Sequence, residues 1–170
     1  MLKGKTVVLG VTGSIAAYKI ANLASMLSKL HADIQVLMTE NATNFINPIT
    51  FETLTGHKCL IDTFDRNFQY SVEHVSLAKK ADVVLVAPAS ANVIGKIANG
   101  IADTSVTMAV KAHLRNQKPV LLAVSTNDGL GTAAKNIGTL LNCKNLYFLP
   151  FSQDDYIKKP NSLVADFEKL

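Results

Sequence analysis

Val83-Val84-Leu85-Val86-Ala87-Pro88-Ala89-Ser90-Ala91-Asn92-Val93-Ile94-Gly95-Lys96-Ile97-Ala98-Asn99-Gly100-Ile101-Ala102-Asp103 is the stretch that decides the fold. Its first four residues are apolar and mostly β-branched, the pattern of a central parallel strand buried on both faces. Ala87 to Asn92 are mostly small, so a flat ligand can approach the backbone closely there. Val93, Ile94, Ile97, Ala98 and Ile101 then recur at helical spacing. Such a stretch is either an ordinary strand–turn–helix corner or a place where an open α/β sheet binds its ligand.

Upstream, Lys5 to Leu9 reads as the first strand and Gly10-Val11-Thr12-Gly13-Ser14 as a turn. A helix follows over Ile15 to Leu30, with Ile15, Tyr18, Ile20, Leu23, Met26, Leu27 and Leu30 as its apolar stripe. A glycine turn opening into a helix offers free N–H groups and a positive dipole end to a phosphate. The spacing is neither G-x-G-x-x-G nor a Walker A loop, and close packing of strand on helix is the rival explanation. Asp33 to Met38 is a second strand, and Thr39-Glu40-Asn41 caps a short helix over Ala42 to Ile46. The tip of that strand lies beside the first glycine turn in a doubly wound sheet, so Thr39 can also face the same ligand. Asn47-Pro48 opens a helix over Ile49 to Leu54 that Gly56 ends. Lys58 to Ile61 reads as a short strand and Asp62 to Ser71 as a loop of the lid or subunit-contact kind, carrying Phe64 and Phe68. Val72 to Ala78 opens a short helix.

Downstream, a helix runs after Asp103 to about Leu114, and Pro119 precedes a strand over Val120 to Ala123. Val124 to Gly129 makes its polar end. A helix over Thr132 to Leu141, a strand over Leu146 to Leu149, an irregular linker from Phe151 to Pro160 and a closing helix over Leu163 to Lys169 follow. Strands alternating with helices predict an α/β fold: a Rossmann-like, doubly wound parallel sheet of five or six strands in three α/β/α layers. Polar clusters end three of the strands, at Gly13-Ser14, Ser90-Ala91-Asn92 and Ser125-Thr126-Asn127, and these are expected to line one crevice.

The 170 residues predict one domain over 1–170, and 48% hydrophobic with 18% charged residues suits a well-packed α/β core. The net charge is +4, spread over scattered lysines without a basic, aromatic-studded stripe, which argues against nucleic acid. No apolar run is long enough to span a bilayer, and no signal-peptide core follows the charged first strand, so a cytoplasmic location is expected. Cys59 and Cys143 form neither a disulfide framework nor a metal-ligand cluster. Of the histidines, His31, His57 and His113 read as surface residues, and His74 stands at a helix start.

Two blocks, GVTGSIAAYK at Gly10–Lys19 and VEHVSLAKKADVVLVAPASANVIGKIANGIAD at Val72–Asp103, resemble the homo-oligomeric flavin-containing cysteine decarboxylases. That family includes phosphopantothenoylcysteine decarboxylase and the peptidyl-cysteine decarboxylases of lantibiotic synthesis. The resemblance implies a flavoprotein fold and FMN as cofactor. The FMN phosphate would lie at Gly13, Ser14 and Ile15, with further contacts from Thr39, and Ala89, Ser90, Ala91 and Asn92 would border the isoalloxazine. It also implies a homo-oligomer, a trimer or a trimer-based assembly, whose flavin site is completed at a subunit interface. His74 falls on the family's active-site histidine, as base or substrate orienter in the oxidative decarboxylation of a cysteinyl small molecule.

Departures accompany the likeness. Where that family carries P-A-M-N-x-x-M, this chain has Val124-Ser125-Thr126-Asn127-Asp128-Gly129-Leu130. Asn127 is kept, as the residue that would hold the substrate carboxylate with Ser125 and Thr126, whereas the proline and both methionines are not. No cysteine follows Cys143 to serve a product-reducing lid. Lys111 to Ala165 instead resembles the B subunit of dipicolinate synthase, a family that lacks a match to His74 and implies a partner subunit. A flavin-binding regulatory protein without turnover is a third class within the same resemblance.

Overall fold

The computed structural model describes residues 2–61 and 73–169, with residues 73–75, 78 and 168 described by their backbone alone. Among the described residues, six parallel strands form the body of the sheet: β1 (Thr6–Val11), β2 (Asp33–Met38), β3 (Leu60–Ile61), β4 (Val83–Ala89), β5 (Val120–Thr126) and β6 (Leu146–Phe148). Two more, β7 (Phe151–Ser152) and β8 (Leu163–Ala165), pair antiparallel beyond β5. The order is β3-β2-β1-β4-β5-β8-β7, with β6 also on β5. The register aligns Leu9 with Val36 on one side and with Leu85 on the other.

β4 shows why these strands must be central. Val84 and Val86 face one apolar cluster, while Leu85 and Ala87 face the other, and all four are buried. A strand whose side chains meet apolar layers on both faces reads as a continuous hydrophobic run, with no polar alternation. Helices α1 (Ala17–Lys29) and α2 (Pro48–Thr55) cover one face through Ile20, Leu23, Leu27 and Phe51. The other face is covered by α3 (Glu73–Lys80), α4 (Ala91–Ala98), α5 (Ser105–Arg115) and α6 (Ala134–Leu141), which supply Leu77, Ile94, Val106, Val110 and Ile137. The three-layer, doubly wound architecture follows. Gly10 lets α5 come close, because a Cβ there would stand 2.8 Å from Val106 Cγ1.

Local signals set the element ends. Thr39 Oγ1 accepts the Ala42 N–H at 3.2 Å and opens a 3₁₀ turn over Glu40–Asn44. Asn47 Oδ1 accepts the Ile49 N–H and opens α2, and Gly56, at φ +73°, closes it.

Three expectations are corrected. Leu163–Lys169 is not a closing helix: Leu163–Ala165 is a strand whose Leu163 and Ala165 are buried, paired with β5 and β7, and Phe167–Lys169 is a single 3₁₀ turn. Tertiary pairing has overridden a helix-compatible sequence. The expected linker from Phe151 opens with β7. Finally, α1 begins at Ala17, so Ile15 (75% exposed) and Tyr18 (62% exposed) stand off the core stripe to which periodicity assigned them. The loop over residues 62–71, with Phe64 and Phe68, lies outside the described residues. No described helix is long and apolar enough to cross a membrane.

Candidate functional site

The chain runs from β1 outward to β2 and β3, then returns to place β4 on the other side of β1. Loops leaving β1 and β4 therefore diverge, and a crevice opens between the two strand tips at the carboxyl edge of the sheet. Thr12, buried at the end of β1, donates its hydroxyl to the Pro88 carbonyl of β4. That bond fixes the spacing of the two tips. The Ala87–Pro88 peptide is cis.

A cavity of about 490 Å³ occupies this crevice. Thr12 and Gly13 line it from β1, Thr39 to Asn41 from β2, and Ser90 to Val93 from the start of α4. Lys96 and the Asp103-Thr104 pair before α5 complete the wall. Four helical starts thus meet near one space: the turn into α1, the 3₁₀ turn after Thr39, α4 and α5. The first N–H groups of a helix have no partner within it, and the aligned dipoles make that end positive. The Gly13, Ser14 and Ile15 amides donate to no partner among the described residues.

The side chains extend this donor character. Ser90 Oγ accepts the Val93 N–H at 3.4 Å as the cap of α4, as Thr39 does for its own turn. A hydroxyl occupied as an acceptor keeps its proton for a ligand. Gly13 leaves no room for more, since a Cβ there would stand 2.8 Å from Asn41 Cγ. Lys96 is the one basic side chain on the described wall; its Nζ lies 2.9 Å from both Asp103 carboxylate oxygens. The Lys96 hydrogen bonds, with its charge, hold the Asp103 carboxyl below the usual carboxylate range. Amides without partners and the positive ends of helices suit an anion chemically, in a wall that also carries Glu40, Lys96 and Asp103.

Gly13, Thr39, Ser90, Ala91 and Asn92 all line this cavity. Ser14 and Ile15 occupy the turn just after Gly13, and Ala89 is buried as the last residue of β4. The third strand tip is placed differently. Ser125 and Thr126 pair with Val164 and Leu163 of β8, Asn127 is exposed beyond them, and none of the three lines the described wall of the cavity. Leu163 lies against Gly129, where a Cβ would stand 2.6 Å from the leucine Cβ. His74 belongs to the first turn of α3, and its side chain lies outside the described residues.

His113 is a correction: it is fully buried on α5, not at the surface. It completes the spacing Val106, Ala109, Val110, His113, a stripe legible in the sequence once the helix is granted. Sequence reasoning also missed Thr12, Asn41, Lys96 and Thr104. Thr104 had a signal, since its hydroxyl accepts the Thr107 N–H at 3.1 Å in a capping box that T-x-x-T spacing allows. Lys96 had none, because its pairing with Asp103 depends on how the chain turns between α4 and α5. A separate groove of about 420 Å³, between Tyr18, Asn22 and Met26 of α1 and Phe167, gathers none of the expected site residues.

Comparison with known proteins adds the family. The Flavoprotein family matches residues 1–154. The B subunit of dipicolinate synthase from Bacillus subtilis (strain 168) is 36% identical over 99% of this chain and 86% of its own length. The coenzyme A biosynthesis bifunctional protein CoaBC of the same organism is 42% identical over 75% of this chain. This chain matches only 30% of that longer protein. Among solved structures, the FMN-dependent cysteine decarboxylase SpaF superposes with a TM-score of 0.81 at 26% identity, covering 99% of this chain and 93% of that one. The chain belongs to the Flavoprotein family.

Proposed function

We propose that this chain binds FMN in the crevice between β1 and β4 and decarboxylates a cysteinyl substrate, with 4'-phosphopantothenoylcysteine as the leading compound. One observation carries the reading: amides without partners and capping hydroxyls with spare protons converge on a space bordered by the small residues Gly13, Ser90 and Ala91. These residues fit FMN. The Gly13, Ser14 and Ile15 amides would hold its phosphate with the Thr39 hydroxyl, and Ala89 to Asn92 would border its ring. The likeness to SpaF and to CoaBC supports a carboxy-lyase.

FMN, when bound, supplies a two-electron acceptor for the carbon that bears the cysteinyl sulfur. His74 takes the thiol proton, because imidazole is the side chain whose ordinary pKa lies nearest neutrality. Asn127 donates its side-chain amide to the substrate carboxylate, and Ser125 and Thr126 hold the same end of the molecule. Exclusion of water favours conversion of that carboxylate into neutral CO₂. Ile15 and Tyr18, apolar and exposed beside the phosphate turn, support a homo-oligomer of the trimer-based kind whose neighbouring subunit completes the site.

The test is the absorption spectrum of purified protein before and after anaerobic addition of phosphopantothenoylcysteine. Flavin bands that bleach with release of CO₂ are expected, and His74→Asn should lower turnover by about 10²- to 10⁴-fold while FMN stays bound. Unchanged bands would overturn the substrate, and absence of flavin after adding FMN would overturn the site.

A second reading rests on a specific observation. The match to the B subunit of dipicolinate synthase runs through the β7–β8 ribbon and covers 99% of this chain. In that reading the protein works with a partner subunit on a dipicolinate precursor. Activity that appears only on adding such a partner would favour it over the decarboxylase.

A further inference from the structure

The glycine turn offers a phosphate neutral donors and no charged side chain. Backbone amides are neutral donors, and the described cavity wall carries two carboxylates, Glu40 and Asp103, against the single ammonium of Lys96. A phosphate dianion entering such a space meets a wall whose charged side chains are net negative by one, and without Lys96 the helix dipoles alone would have to offset two like charges. Lys96 stands where it can change that balance. Its side chain is only 23% exposed, and it projects from α4 one turn beyond Asn92. Two of its three donor hydrogens serve the Asp103 oxygens at 2.9 Å, and the third has no partner among the described residues.

We infer that Lys96, braced by Asp103, is the specificity-determining residue by which this chain prefers a phosphorylated flavin to its unphosphorylated counterpart. The inference rests on the flavin site proposed above. Asp103 pairs with Lys96 at 2.9 Å in the absence of ligand, so part of the cost of ordering the flexible side chain is met before the ligand arrives. The spare N–H then makes a charge-assisted bond to a phosphate oxygen, and riboflavin has no phosphate to accept it.

The test compares FMN and riboflavin, titrated into the full chain and followed by quenching of flavin fluorescence. In the unaltered protein FMN should bind more tightly, and raising the salt concentration should narrow the gap. Lys96→Met keeps the apolar stem and removes the charge; it should weaken FMN by about tenfold to a hundredfold while changing riboflavin by less than about twofold. Lys96→Arg should restore most of the FMN preference. Equal weakening of both ligands in Lys96→Met, or an unchanged FMN-to-riboflavin ratio, would overturn the assignment to Lys96. Failure of the unaltered protein to bind either flavin would instead overturn the flavin site itself.

Discussion

The tips of β4 and β5 are alike in sequence and unlike in their surroundings. Each strand begins in a fully apolar run and ends in small polar residues, Ser90-Ala91-Asn92 in one and Ser125-Thr126-Asn127 in the other. At β4 the backbone turns at once into α4, Ser90 caps that helix, and the exposed donors face an open cavity. At β5 the strand continues to Thr126, and its last two residues pair with β8. What separates the two is the neighbour, since only the β4 tip adjoins the strand at which the sheet reverses direction. A polar strand end stays open to a cavity of this kind where the topology leaves it unpaired.

The sharpest way to break this contrast is Gly13→Val. Its side chain would displace Asn41 and pull the phosphate turn away, and loss of even two charge-assisted bonds corresponds to about a hundredfold weaker FMN binding or worse. Near-normal affinity by fluorescence titration would show that the flavin lies elsewhere. Leu163→Ala addresses the opposite tip. Removing a buried leucine over Gly129 should cost about 2 to 3 kcal/mol in urea unfolding while FMN affinity holds within about twofold. A large loss of FMN binding there would join the two tips into one site. Ser90→Ala should lower stability by about 1 kcal/mol through the lost cap, and it should weaken FMN as well, because the hydroxyl serves both ends. Asn127→Ala should be the mildest, within about 0.5 kcal/mol in stability. Its effect should show as a raised KM for the cysteinyl substrate with FMN binding unchanged.

The parallel body of the sheet was legible because each central strand is apolar on both faces and each helix start carries its own local signal. Thr39, Asn47 and Gly56 do what their residue types do anywhere. The same local reasoning collected Gly13, Thr39 and Ser90 to Asn92 into one cavity. It failed where the answer depended on a distant partner. Leu163-Val164-Ala165 is too short to declare a period, and the free half of β5 decided its state. His113 was misplaced because a lone polar letter hides its membership of the α5 stripe. Ile15 and Tyr18 were misplaced for the converse reason: they share the α1 period but precede or flank the face that meets the sheet.

The divided edge of β5 has a consequence for how this chain avoids itself. Val120 to Leu122 pair with β6 and Ser125 to Thr126 pair with β8, so two short strands cover what would have been one long open edge. At the other side, among the described residues, the sheet closes with β3 (Leu60–Ile61), and the start of β2, which no described strand covers, bears Asp33 and Gln35. A bare edge of hydrophobic parallel strands is a template for pairing with another chain, and short or charged edges remove that template. Strands of two and three residues, with little apolar area of their own to bury, thus act as guards: they give a sheet with so apolar a centre short edges that offer little for another strand to pair with.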